Sequence, residues 1–219
     1  MKKTIFLAIT IVAGILIANP AFSQKANKDD NNTVKTGTIT DSRDGKTYKS
    51  VKIGEQWWMA ENLTYDIGHG SWAYNNDESN VKTYGRLYTS EAAKKACPSG
   101  WHLPTDDEWK QMEMAIGMSQ SEADDAGWRG TNEGTKLKAT SGWNENGNGT
   151  DDFGFSGLPG GYRTYGGNFY GIGSSGAWWS ATEYSPYTVW YRTLYCTKPG
   201  VSRHSDKKAV VFSVRCVMD

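Results

Sequence analysis

The residues with the most chemistry in the fewest positions lie in Ala96 to Met112 (ACPSGWHLPTDDEWKQM), which gathers Cys97, His102 and the carboxylates Asp106, Asp107 and Glu108. Nucleophilic catalysis there would need a thiolate beside a base. Pro98 follows Cys97 directly, and neither a helix N-terminus nor a basic cluster is evident to lower the thiol pKa. The pattern therefore predicts a fold seam: Pro98 and Gly100 turn the chain, Trp101 and Leu103 pack down, and His102 is a packed or hydrogen-bonding residue. His69, His102 and His204 lie far apart without metal-ligand spacing. Gly171 to Gly176 (GIGSSG) has the glycine spacing of a dinucleotide site but neither follows a clear strand nor opens a helix, so it reads as a turn. No G-x-S-x-G elbow occurs.

Two stretches could bind rather than react. In Trp143 to Gly154 (WNENGNGTDDFG), Asn144, Asn146, Asn148, Asp151 and Asp152 offer the hard oxygens that calcium prefers. The competing reading is an Asn/Gly turn, and the spacing is not that of an EF-hand. From Gly161 to His204, eleven aromatics between Tyr162 and Tyr195 alternate with Gly, Ser, Thr and Asn. Rigid amphipathic rings beside small polar residues compose a recognition surface, and the same rings could equally be core. Trp178 and Trp179 are read as core. Tyr184, Tyr187, Trp190, Tyr191 and Arg192 are read as ligand-binding, on an exposed loop or edge around Pro186.

Lys2 and Lys3 precede an apolar run from Ile5 to Ala18, and Ala21 and Ser23 sit at the −3 and −1 positions of a cleavage site. Residues 1–23 thus read as a signal peptide, residues 24–36 as a solvated tether, and residues 37–219 as one domain. The expected location is secreted, periplasmic or cell-surface, with no membrane insertion after cleavage. The full chain is charge-balanced, and losing Lys2 and Lys3 leaves two more acids than bases, scattered rather than striped, which argues against nucleic acid as a partner.

Alternating β-formers predict strands over Gly37–Thr40, Tyr48–Ile53 and Trp57–Ala60. Helices are expected over Thr89–Ala96 and, with Thr105 and Glu108 as a capping box, over Thr105–Ile116. Gly127 to Gly176 reads as ordered loop. Ala209 to Met218 reads as a last strand with Val210, Phe212, Val214 and Cys216 buried while Ser213 and Arg215 point away. In an oxidising compartment three cysteines suggest one bridge; Cys97 with Cys216 is preferred, and Cys196 with Cys216 is the alternative.

In order along the chain, VKIGEQWWMAENL, GRLYTSEAAKKACPSGWHLPTDDEW, GFSGLPGGYR, WWSATEY and FSVRCV resemble the Fibrobacter succinogenes major paralogous domain family of secreted and surface proteins of Bacteroidetes and relatives. The resemblance covers about Gly37 to Asp219. It implies an α+β, C-type lectin-like fold: short antiparallel strands whose first and last members pair, two helices, a long loop-rich region, and a Cys97 to Cys216 bridge. HLPTDDEW also resembles an element of formylglycine-generating enzymes, but the cysteine pair those use for copper and oxidation has no counterpart. The Glu-Pro-Asn and Trp-Asn-Asp signatures of calcium-dependent lectins are absent too. The resulting expectation is a non-catalytic recognition module for glycan or protein, with no cofactor beyond calcium; the alternatives are a structural envelope domain or an enzyme of the formylglycine-generating type.

Overall fold

The computed structural model describes residues 33–219 together with the backbone of Phe22–Ser23. Residues 1–21 of the expected signal peptide and residues 24–32 of the expected tether lie outside the described residues. β1 (Phe22–Ser23) pairs with β2 (Thr36–Thr40), and β2, β3 (Thr47–Ile53) and β4 (Gln56–Met59) form an antiparallel meander within a residue of the expected positions. The pleat of β3 sends Tyr48 into one hydrophobic cluster and Val51 and Ile53, on the opposite face, into another, so the strand is buried on both sides.

The C-terminal segment closes this sheet, though not by pairing with its first strand. β15 (Val217–Met218) lies between β4 and β7 (Trp101–His102), with Val217 opposite both Trp58 and His102. Upstream, β14 (Val211–Ser213) belongs to a second, nine-stranded sheet of order β5-β6-β14-β9-β11-β12-β13-β8, in which β10 pairs with β9. Its members are β5 (Ser71–Trp72), β6 (Leu87–Thr89), β8 (Gly127–Arg129), β9 (Gly160–Arg163), β10 (Phe169–Ile172), β11 (Ser175–Ser185), β12 (Thr188–Tyr195) and β13 (Val201–Lys207). The late region expected as loop or exposed edge therefore contains the longest strands of the fold.

Among the described residues there are five α-helical segments rather than two: α1 (Val81–Tyr84), α2 (Ser90–Ala93), α3 (Asp106–Ala115), α4 (Gln120–Asp124) and α5 (Glu133–Leu137). Only α3 exceeds five residues, and its N-terminus carries the reciprocal Thr105–Glu108 capping box. α2 stops short of the expected Ala96, its last turn tightening to i→i+3 bonds from Lys95 to Ala92 O and from Ala96 to Ala93 O. There the chain leaves the helix and Cys97 bonds to Cys216, with Cα atoms 5.9 Å apart; Cys196 is free and buried.

Two large aromatic-rich clusters and a smaller one around Tyr74, Leu87 and Val211 form the core. Trp179, Tyr88, Phe212, Val214 and Cys216 belong to one large cluster, and Trp58, Trp109, Phe155, Trp178 and Val217 to the other. The alternation from Val210 to Cys216 thus places the right residues together, yet its other face is also buried. Arg215, expected to point away, is fully buried: it donates to Asn62 Oδ1 at 2.9 Å, to Ser156 O at 2.8 Å and to Phe155 O, and its guanidinium lies 4.1 Å from the Phe155 ring centre. Burial holds its pKa down to about 9, so it keeps its charge at neutral pH. The segment runs between the two clusters, which is why neither of its faces reaches water.

Candidate functional site

The β11–β12–β13 ladder decides where the late aromatics go. Tyr191 is opposite Trp179 on one side and His204 on the other, so period-2 alternation places Tyr191, Thr193, Tyr195 and His204 on one sheet face and Trp190, Arg192 and Leu194 on the opposite face. The five expected ligand-binding residues are thereby divided.

Arg192 is the correction among them. It is 1% exposed, donating from Nε to Glu113 Oε1 and from Nη1 to Asp106 Oδ1, both at 2.7 Å. Arg203 Nη2 also reaches Asp106, at 2.7 Å, and Arg129 Nη2 reaches Glu113 at 2.9 Å. Three arginines from β8, β12 and β13 thus meet two carboxylates of α3, tying the helix to the sheet. Burial alone would raise the Asp106 pKa, but the hydrogen bond from Arg203 and the charge of Arg192 outweigh it and hold the carboxyl at about 2. A charge with such partners folds inward because leaving either side unpaired is costly.

Trp190 is half-buried on the same face, with the Arg203 guanidinium 3.7 Å from its ring centre and the Tyr184 ring 4.7 Å away. Tyr184 is 62% exposed, and Tyr187, at the hairpin tip between β11 and β12, is 79% exposed. Tyr191 is on the other face, half-buried and stacked on Phe212 at 4.5 Å; burial raises its pKa to about 12, so its hydroxyl remains protonated.

Sequence reasoning missed the neighbours of Tyr191. Tyr162 packs edge-on to the same Phe212 ring at 6.1 Å and lies opposite Tyr170 across the β9–β10 ladder, with ring centres 6.0 Å apart. Tyr170 is 51% and Tyr195 37% exposed. Gly161, at φ +69°, permits this hairpin, since a Cβ there would lie 2.5 Å from Tyr170 O. Tyr162, Tyr170, Tyr191 and Tyr195, with Thr193, exposed His204 and half-buried Asp206, thus make a polar-rimmed aromatic face on the large sheet. Its rings can stack on flat apolar surfaces, and its hydroxyls, imidazole and carboxylate can exchange hydrogen bonds with a ligand. The alternation of Tyr191, Thr193 and Tyr195 was a signal that could have found half of it.

The Asn/Asp loop spends much of its oxygen on itself. Asn148 Oδ1 accepts from the Trp143 backbone N–H at 3.0 Å, and Asp151 accepts from both the backbone and hydroxyl of Ser156 at 2.6 Å. Asn144 donates to Ser174 Oγ at 3.4 Å, Asn146 is exposed with its backbone at φ 55°, and Asp152 borders a separate cleft beside Lys52 and Glu55. Among the described residues, no group of three or more His, Cys, Asp or Glu is placed to hold a metal.

His102 bonds through both ring nitrogens, Nδ1 to Asp219 Oδ1 at 2.6 Å and Nε2 to Glu108 Oε1 at 2.8 Å. Burial lowers its pKa, but the two carboxylates outweigh that and raise it overall. It joins the chain end to the α3 cap, consistent with the hydrogen-bonding role expected for it.

No helix among the described residues is long and apolar enough to cross a membrane. No curated protein and no solved structure matches the chain. The family model of the Fibrobacter succinogenes major domain matches residues 51–218, more than half of the chain. The protein therefore belongs to the Fibrobacter succinogenes major domain family.

Proposed function

We propose that the protein is a secreted, non-catalytic recognition module of C-type lectin-like fold that binds glycan through its late aromatic residues. The observation that carries the reading is the aromatic face: four tyrosines with Thr193, His204 and Asp206 on one side of a sheet whose other side is fixed by α3. Sugar rings present flat C–H faces edged by hydroxyls, which tyrosine rings and mixed donors and acceptors complement. Tyr184, Tyr187 and Trp190 form a second, smaller aromatic group at the hairpin end. Catalysis finds less support in the earlier motif, because Cys97 is bridged and His102 is held between two carboxylates.

The test is thermal unfolding against cell-wall and host glycans, with and without calcium, since a ligand of the folded state raises the midpoint by mass action. Tyr170→Ala with Tyr195→Ala should abolish the shift, whereas Tyr184→Ala with Tyr187→Ala should leave it if the sheet face is the site. A shift that needs calcium would assign the Asn144 to Asp152 loop a metal. No shift with any glycan, together with retention by neighbouring envelope proteins on extraction, would replace this reading with a structural role.

A further inference from the structure

A separate cleft of about 190 Å³ opens between β3, the segment following β4, and α1. Lys46, Lys49 and Lys82 line it together with Glu61, Asn62 and Ser156. Among the described residues none of the three lysines is ion-paired with a carboxylate: Lys46 lies 5.5 Å from the Tyr48 ring centre, and the Glu61 carboxylate accepts from the backbone N–H of Lys49. Arg215 lies behind two of the lining residues. Arg215 donates to Asn62 Oδ1 and Ser156 O, two residues that line the cleft, and has no carboxylate among its hydrogen-bond partners. Asn62 is fully engaged, since its Oδ1 also accepts from Trp178 and its Nδ2 donates to Tyr84 O. The lining itself carries three lysines against Glu61, while Asp151, bonded to Ser156, and Glu61 are the carboxylates whose charges act on Arg215. A partly enclosed cleft strengthens attraction to an anion relative to open water.

We propose that this cleft binds an oxyanion, a carboxylate or sulfate group, either free or carried by an acidic sugar. The volume admits one such group or a single sugar unit rather than a folded partner. The site is distinct from the aromatic face and does not depend on neutral glycan binding there.

The experiment is calorimetric titration of the protein at constant ionic strength with sodium glucuronate, sodium sulfate and glucose. It compares the parent chain with Lys49→Gln/Lys82→Gln and with Lys95→Gln/Lys198→Gln, a control of equal charge change at exposed lysines outside the cleft. Unfolding midpoints without ligand establish that each variant folds. The expected result is saturable binding of glucuronate or sulfate but not glucose, weakened about tenfold or more by the cleft pair alone. Tighter glucuronate than sulfate would identify an acidic sugar; equal or tighter sulfate would identify a free oxyanion. Absence of saturable anion binding, or an equal loss in the control pair, would overturn the proposal.

Discussion

Asp106→Asn is the sharpest probe of how this fold is held. The side chain is buried and accepts hydrogen bonds from Arg192 and Arg203, and Lys110 lies 3.6 Å away. Its carboxyl is held at about 2 against an ordinary 3.8. At about 1.4 kcal/mol per tenfold change in proton affinity, that corresponds to about 2 kcal/mol of stabilisation of the ionised form. Because the folded value is depressed, this contribution is complete above pH 3.8 and is lost as pH falls through 2. Asparagine removes the charge at every pH and keeps only one acceptor oxygen where the carboxylate offered two to Arg192 and Arg203. Breaking a buried pair from one side typically costs about 3 to 5 kcal/mol. Urea unfolding at pH 7 should show a loss in that range with little change in slope, and repeated between pH 5 and pH 2 the variant should lose about 2 kcal/mol less than the parent. A loss below about 1 kcal/mol at pH 7, or parallel acid limbs, would refute the view that this network clamps α3 to the sheet.

Three further outcomes test the seam and the core behind it. Replacing Cys97 and Cys216 by serine opens a loop of sequence separation 119 and should lower stability by about 4 to 5 kcal/mol; Cys196 should alkylate only after unfolding, by mass spectrometry, and rapid alkylation of the native protein would contradict its burial. By NMR, His102 should titrate above the ordinary 6.5, and Asp219→Asn should move it downward. A raised folded value means that its contribution to stability is full below 6.5 and is lost as pH rises through the folded value; an Asp219→Asn titration identical to the parent would remove that pair from the account.

The meander and α3 were legible because their signals are local. Alternating apolar residues specify a half-buried strand, and Thr105 with Glu108 specifies a helix start through bonds three residues apart. β11 to β13 were not legible as buried strands, because their inward positions include Ser180, Arg192 and Arg203, which erase the apolar alternation. The same concealment split the expected binding residues: chain position put Tyr191 and Arg192 side by side, while the pleat sends them to opposite faces.

By itself, the sequence determined the first strands and the capped helix, each carried by residue type or short-range periodicity; the α+β fold was implied by the family resemblance, and the cysteine pairing stood open between Cys97 and Cys196 as partners of Cys216. The tertiary structure alone decided that Arg192 and Arg215 lie inside, that Tyr162 and Tyr170 join Tyr191 and Tyr195, and that three lysines border one cleft. The physical reason is that an arginine or a tyrosine is stable on either side of a surface, provided that its polar atoms find partners. Those partners, Asp106 and Glu113 for Arg192 and Asn62 for Arg215, are separated from them by 86, 79 and 153 residues and meet only when the sheets close.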